Sequence, residues 1–424
     1  MIGAQRRTHG FLPKRSYRTM STPARFPWRW GVGAAVVMLC AVLAATLLKP
    51  AGTGAPSAGD AASASASGTE IDMNVSSCGG AWHADASGTA AFTFVNGNTG
   101  DVEVQLQEQA SKKVYLEVDG IGPGAKHPSS VVLGAGEYRL VCYPAEADPV
   151  LGTSVAVGKA PAGAMLTSGV VPLTTNDLIP VAKSYGAWVR GRLPLLRAQL
   201  ATLDKAVANG DLAGARGDWL VAHRTYETLG AAYGAFGDYD VQINGPPASG
   251  TTALTDPDLT GFHKVEALLW SGAPASRVRP YTQRLVADAD ALAVSNTLDR
   301  IDPLDIGLRA HEIVENTIQF ELTGAADAGS HTSLATIDAN LAGSQKVLSF
   351  LVPQLTPRYA ALPQTEQSLV AAQKLVETYH RAGGWAPLDS LTRTERQQLN
   401  ASLDAAVELL APVAEITEPR KAVQ

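Results

Sequence analysis

Four stretches of the chain carry imidazole and carboxylate side chains at spacings that suit a shared metal ion. The stretch "AHRTYETLGAAYGAFGDYD" (222–240) holds His223 and Glu227, then Asp238 and Asp240. "GFHKVEALLW" (261–270) holds His263 and Glu266. "AHEIVENTIQFEL" (310–322) holds His311, Glu312 and Glu315, and "GSHTSLATIDANLAGS" (329–344) holds His331. On a helix, residues three or four apart share one face. Imidazole with carboxylate suits Zn, Fe or Mn, whereas thiolates select softer ions. The HxxE pair stands out because Phe262, Val265, Leu268, Leu269 and Trp270 surround it. A carboxylate buried in such company needs a partner or a metal. A single His or Glu on a helix is more often solvated or satisfied in the core. For His223, Asp238 and Glu312 both readings stand open.

The elements that must position these residues fall in the second part of the chain. From about 176 to 415 apolar residues recur at i, i+3, i+4 and i+7, as in "LLRAQLATLDKAVANG" and "LVAAQKLVETYHRAGG". Breakers such as "NGD" (209–211) and "AGG" (382–384) divide the region into seven or eight expected helices. Asp177 is expected to precede one helix, with Pro180 in its first turn, and Thr392 with Glu395 forms a capping box. An all-α helical bundle over 161–424 is the result, a fold that builds metal sites between facing helices. No cysteine lies there, which excludes an iron–sulfur cluster or thiolate zinc site in the bundle. The G-x-S-x-G, Walker and G-x-G-x-x-G motifs are absent.

Residues 71–160 read differently. "TAAFTFVNG", "DVEVQLQE", "KKVYLEVDG" and "GEYRLVCYP" alternate apolar and polar residues between Gly, Asn and Pro, which predicts an all-β sandwich. Ahead of it, residues 1–29 carry seven Lys or Arg and no Asp or Glu. The apolar run 31–48 follows, so 30–49 is expected to be an uncleaved signal-anchor with the basic segment in the cytoplasm. Residues 50–70, nearly all Ala, Gly, Ser, Pro and Thr, are an expected disordered linker. The remainder is then extracytoplasmic, either anchored at the cell membrane or periplasmic or secreted after cleavage. There, Cys78 and Cys142 are free to pair and close a loop of about 65 residues, a contribution of roughly 4 kcal/mol in the chain-entropy model. The net charge of −6 argues against a nucleic-acid partner.

"TGFHKVEALLW" followed by "SHTSLATIDANLAGSQKVLSFLVPQL" resembles the imelysin-type domain of the EfeO iron-uptake family. Tyr226-Glu227, the Asp238–Asp240 end and the run from Ser330-His331-Thr332 to Gly343-Ser344-Gln345-Lys346 match further motifs of that family. "KKVYLEVDGIGPGAKHPSSVVLGAGEYRLVCY" is similar to its cupredoxin-like N-terminal domain. With the resemblance, the expected site is iron (Fe2+ or Fe3+) held by His263, Glu266 and Glu227, and Asp240, Glu315 and His331 are further candidates. The resemblance also implies a membrane iron permease and a haem peroxidase as partners. A second cation site in the sandwich falls on Glu103, although the family's next acidic position is Gln105 here. Gly230 and Ser333 likewise stand where the family has a Glu and an Asp. After Cys142 no histidine follows until His223, so copper of the blue type is not expected in the sandwich. The rival reading is a zinc metallopeptidase of the imelysin type, for which HxxE lacks the HExxH or HxxEH arrangement.

Overall fold

The computed structural model describes residues 68–419, apart from 146 and 296. The expected basic segment and anchor lie outside the described residues, as does all but the end of the linker. Among the described residues no helix is long and apolar enough to cross a membrane.

Nine strands form the first domain: β1 (Thr69–Asn74), β2 (Ser77–Cys78), β3 (Thr89–Asn96), β4 (Val102–Glu108), β5 (Val114–Ile121), β6 (Lys126–Val132), β7 (Gly136–Pro144), β8 (Val150–Leu151) and β9 (Val155–Val157). One sheet runs β2-β1-β3-β6, and β1 and β3 pair in parallel. The other runs β5-β4-β7-β8, with β9 also on β7. The strict alternation of β3, buried at every second residue, supplies Ala90, Phe92 and Phe94 to the layer between the sheets. Cys78 of β2 is bonded to Cys142 of β7, so the disulfide ties one sheet to the other.

The helical domain holds α1 (Thr175–Ala208), α2 (Leu212–Glu227), α3 (Tyr233–Phe236), α4 (Asp238–Asn244), α5 (Gly261–Trp270), α6 (Ala275–Val294), α7 (Asp305–Asn316), α8 (Ser333–Leu355), α9 (Leu362–Glu377) and α10 (Arg393–Thr417). These ten helices among the described residues exceed the expected number because α3 and α4 are short, divided by Gly237 at φ +60. Asp177 does not precede α1 but lies inside it: Thr174 is the N-cap, and Asp177 completes the capping box from the third position. The Thr392–Glu395 box on α10 forms as the spacing predicts. One continuous apolar core joins α1, α2 and α5–α10.

Two glycines allow the close packing around α5 and α8. Gly261 opens α5 at φ +74, and a Cβ there would run into the Ile243 carbonyl at the end of α4. Gly343 on α8 sits against the Thr228 backbone, where a Cβ would come within 3.0 Å of its carbonyl oxygen. Both positions bring the segments carrying His263, Glu227 and Ser330 to one end of the bundle.

Candidate metal centre

The GFHKVE segment forms the first turns of α5 with Phe262, Val265 and Glu266 buried. The Trp219 indole of α2 donates to the Phe262 carbonyl at 3.0 Å and fixes α5 against α2. The His263 and His223 rings thereby come to 6.1 Å between centroids, and Trp219 stacks on His223 at 4.7 Å. His263 Nδ1 lies 3.6 Å from Glu266 Oε2. The other Glu266 oxygen accepts the Ala328 and Ser330 backbone amides, each at 3.0 Å. Glu266 is therefore both a face of the site and the latch for the loop ahead of α8.

A cavity of about 10 Å³ opens between these groups, lined by His223, His263, Glu266, Glu321, Asp327 and Ser330 among others. That is about the space of one water or one ion. His223 is 4% exposed, and neither ring nitrogen makes a hydrogen bond. Its Nε2 stands 2.9 Å from Glu227 Oε1 but is angled outside hydrogen-bond geometry. Glu227 offsets the burial of this imidazole at Nε2, and Nδ1 is left as a polar atom that a metal would satisfy.

Glu227 lies behind His223 and does not line the cavity. Its Oε1 accepts from Asn244 at 2.8 Å and its Oε2 from the Tyr233 hydroxyl at 3.3 Å. Asp240 is farther still, accepting from the Tyr226 hydroxyl at 2.6 Å. Among the described residues no three His, Cys, Asp or Glu side chains are already drawn together as an ion-holding group.

The local charges oppose burial with different outcomes. Burial disfavours the protonated form of His223, but the Glu227 carboxylate, helped by Glu266 and Glu321, outweighs it and raises the pKa. Burial would raise Glu227, yet the neighbouring His223 and the Asn244 amide hold it below the ordinary carboxylate range. Burial likewise opposes ionisation of Glu266, and His263, with Ser330, brings its pKa down. Glu321 is pushed up to about 8 by burial and then by the Glu227 and Glu266 charges, against the pull of His223. Asp240 rises to about 6 because burial and Glu227 outweigh the Tyr226 hydrogen bond and Arg309. An added cation would supply the positive charge that Glu321 lacks.

The remaining sequence candidates lie elsewhere. His331 is exposed, at φ +57, and does not line the cavity, although Ser330 and Thr332 on either side do. Glu315 is half-exposed with His311 Nδ1 at 3.9 Å, Glu312 pairs with Arg309 at 2.6 Å, and Asp238 is exposed. Glu103 on β4 is buried and accepts from Gln105 at 2.6 Å, and it borders a cavity of about 390 Å³ with Glu117, Asp119, Glu415 and Glu418. Cys142, being disulfide-bonded, has no thiolate to offer a metal there.

Glu321 is the residue that the spacing rules pass over. The chain from Thr317 to Glu321 is a π-helical turn, which no 3.6-residue period reveals. The available signal was a carboxylate between Phe320 and Leu322, at the end of an otherwise amphipathic helix.

The sequence pattern of the family described as Imelysin (Peptidase M75) matches residues 181–413. The chain is 25% identical over 328 residues to the iron uptake system component EfeO of Escherichia coli (strain K12), covering 74% of this chain and 85% of that protein. The same identity and coverage hold for the iron uptake system component EfeO of Shigella flexneri and of Escherichia coli O157:H7.

Proposed function

The chain belongs to the imelysin family, and from that premise we propose that it is the iron-binding component of an iron-uptake system, acting outside the cytoplasm. Iron is its cargo. His223, His263, Glu266 and Glu321 hold the ion, and Glu227, 2.9 Å from His223 Nε2, orients that ring from behind. Asp240 tunes this arrangement through Tyr226 and Glu227. The observation that carries the proposal is the buried His223 imidazole, its Nε2 paired with Glu227 and its Nδ1 without a partner, beside a carboxylate-lined cavity of single-ion size.

Imidazole and carboxylate together accept Fe(II) or Fe(III) and also admit zinc. A cavity of about 10 Å³ suits an ion rather than a peptide, which favours cargo over a zinc peptidase. The ion passes to a membrane permease, with a haem peroxidase as the other component of the system. A membrane anchor at 30–49 and the Ala/Ser/Gly-rich linker behind it keep the carrier close to that permease and raise its effective concentration.

Titration of the protein with Fe(II), Fe(III) and Zn(II), beside His263→Ala and His223→Ala, tests the proposal. Each substitution is expected to remove one equivalent of iron. Unchanged stoichiometry in both variants would place the iron elsewhere. Chelator-sensitive cleavage of a peptide library that Glu266→Gln abolishes would turn the reading to the peptidase.

A further inference from the structure

We propose that Thr317 and Asn340 are positioning residues that hold the π-turn and thereby aim Glu321 into the cavity; this rests on the iron site described above. Thr317 is 1% exposed at the junction of α7 and the turn. Its hydroxyl donates to the Ile313 carbonyl at 2.6 Å and accepts from Asn340 Nδ2 of α8 at 3.0 Å. Its carbonyl accepts the Leu322 amide, five residues on, at 2.9 Å. Arg396 of α10 then holds the Leu322 carbonyl at 2.8 Å.

The extra residue in this turn decides which side chain lies beneath Thr317. In a continuous α-helix the residue four positions on would take that place, and that residue is Glu321. The π-turn puts Leu322 there instead, 3% exposed and part of the apolar core. Glu321 is displaced sideways, to the cavity it shares with His223, His263 and Glu266. An α-helical continuation would drive a carboxylate into the core and turn a leucine outward. The Thr317–Asn340 hydrogen bond ties the start of the turn to α8, the helix that leads away from the latched loop at 328–330. One buried hydroxyl thus joins α7, the turn that carries Glu321, and α8.

The test is Fe(II) binding under anaerobic conditions by the full chain, measured calorimetrically for Thr317→Val, Thr317→Ser and Asn340→Leu. Each is made in the natural background and again with Glu321→Gln. Thr317→Val and Asn340→Leu are expected to weaken binding by about tenfold to a hundredfold, the usual cost of losing an orienting partner. Thr317→Ser, which keeps the hydroxyl, should bind as the natural protein does. In the Glu321→Gln background neither damaging substitution should weaken binding further, because the carboxylate they aim is already gone. Additive losses in that background would overturn the inference and leave a merely structural role. So would natural affinity in both variants while His263→Ala still loses its iron, and that outcome spares the iron site itself. Retention of iron by both His263→Ala and His223→Ala would sink the site and the positioning together. Should Thr317→Val fail to fold, Asn340→Leu carries the same comparison from a different helix.

Discussion

Glu266 has two duties that substitution can separate. One oxygen accepts the Ala328 and Ser330 amides at 3.0 Å each, and the other faces His263 and the cavity. Glu266→Ala leaves two amides without their acceptor, of which the Ser330 amide is fully enclosed. An unsatisfied buried donor costs about 1–3 kcal/mol and the half-buried Ala328 amide less, so the metal-free Ala variant should lose roughly 1–4 kcal/mol. For a domain of this size a kcal/mol moves Tm by about 2–4 °C, which puts the fall at roughly 2–16 °C. Glu266→Gln keeps an oxygen for the amides and should melt within a few degrees of the natural protein. The two variants then part company when iron is added. At a hundredfold excess over Kd a ligand stabilises the fold by about 2.7 kcal/mol, and the natural protein should gain roughly 5–10 °C. Neither variant should show that gain. The assay is a calorimetric melt with and without Fe(II). If Glu266→Ala melts with the natural protein, the loop is not latched by this carboxylate. If Glu266→Gln keeps the full iron-induced gain, the carboxylate is not a ligand.

The metal-free protein should lose stability as pH rises from about 5 to 8. Asp240 at about 6, Glu321 at about 8 and the raised His223 all keep protons in the folded state that the unfolded chain has released. Stability therefore falls as pH climbs through each folded pKa, and a melting temperature that climbs over this window would contradict the charge pattern. Replacing Cys78 and Cys142 by Ser should destabilise the sandwich by about 2–5 kcal/mol while iron stoichiometry in the helical domain stays the same; denaturant melts and metal analysis read the two effects separately. Gly261→Ala should lower Tm and iron affinity together, since a left-handed backbone costs about 1–2 kcal/mol before the Ile243 carbonyl is met; an affinity equal to the natural protein's would show that the start of α5 does not place His263.

What the sequence determined by itself were the features that repeat locally. Alternation along β3 fixed its inward residues, and the Thr392–Glu395 box fixed the start of α10, because both depend on neighbours within a few positions. The HxxE spacing alone put His263 and Glu266 on one helical face, and the apolar residues around them showed that this face is buried. The count of two cysteines after the apolar run made a Cys78–Cys142 pair possible, and the packing of β2 near β7 brings them together. Only the tertiary structure decided which other side chains reach that face. Glu315 and Glu321 both lie near the end of α7, and a regular period gives no reason to prefer the second. The π-turn does, and it exists because Leu322 gains the core and Thr317 gains a partner on α8. His331 looked like a ligand beside Ser330, yet its left-handed backbone leaves its side chain exposed. His223 and His263 are 40 residues apart by their numbers, and they meet because Trp219 bonds to the backbone of α5. Contacts of that range carry no local signature, since they depend on the packing of whole helices rather than on the spacing along any one of them.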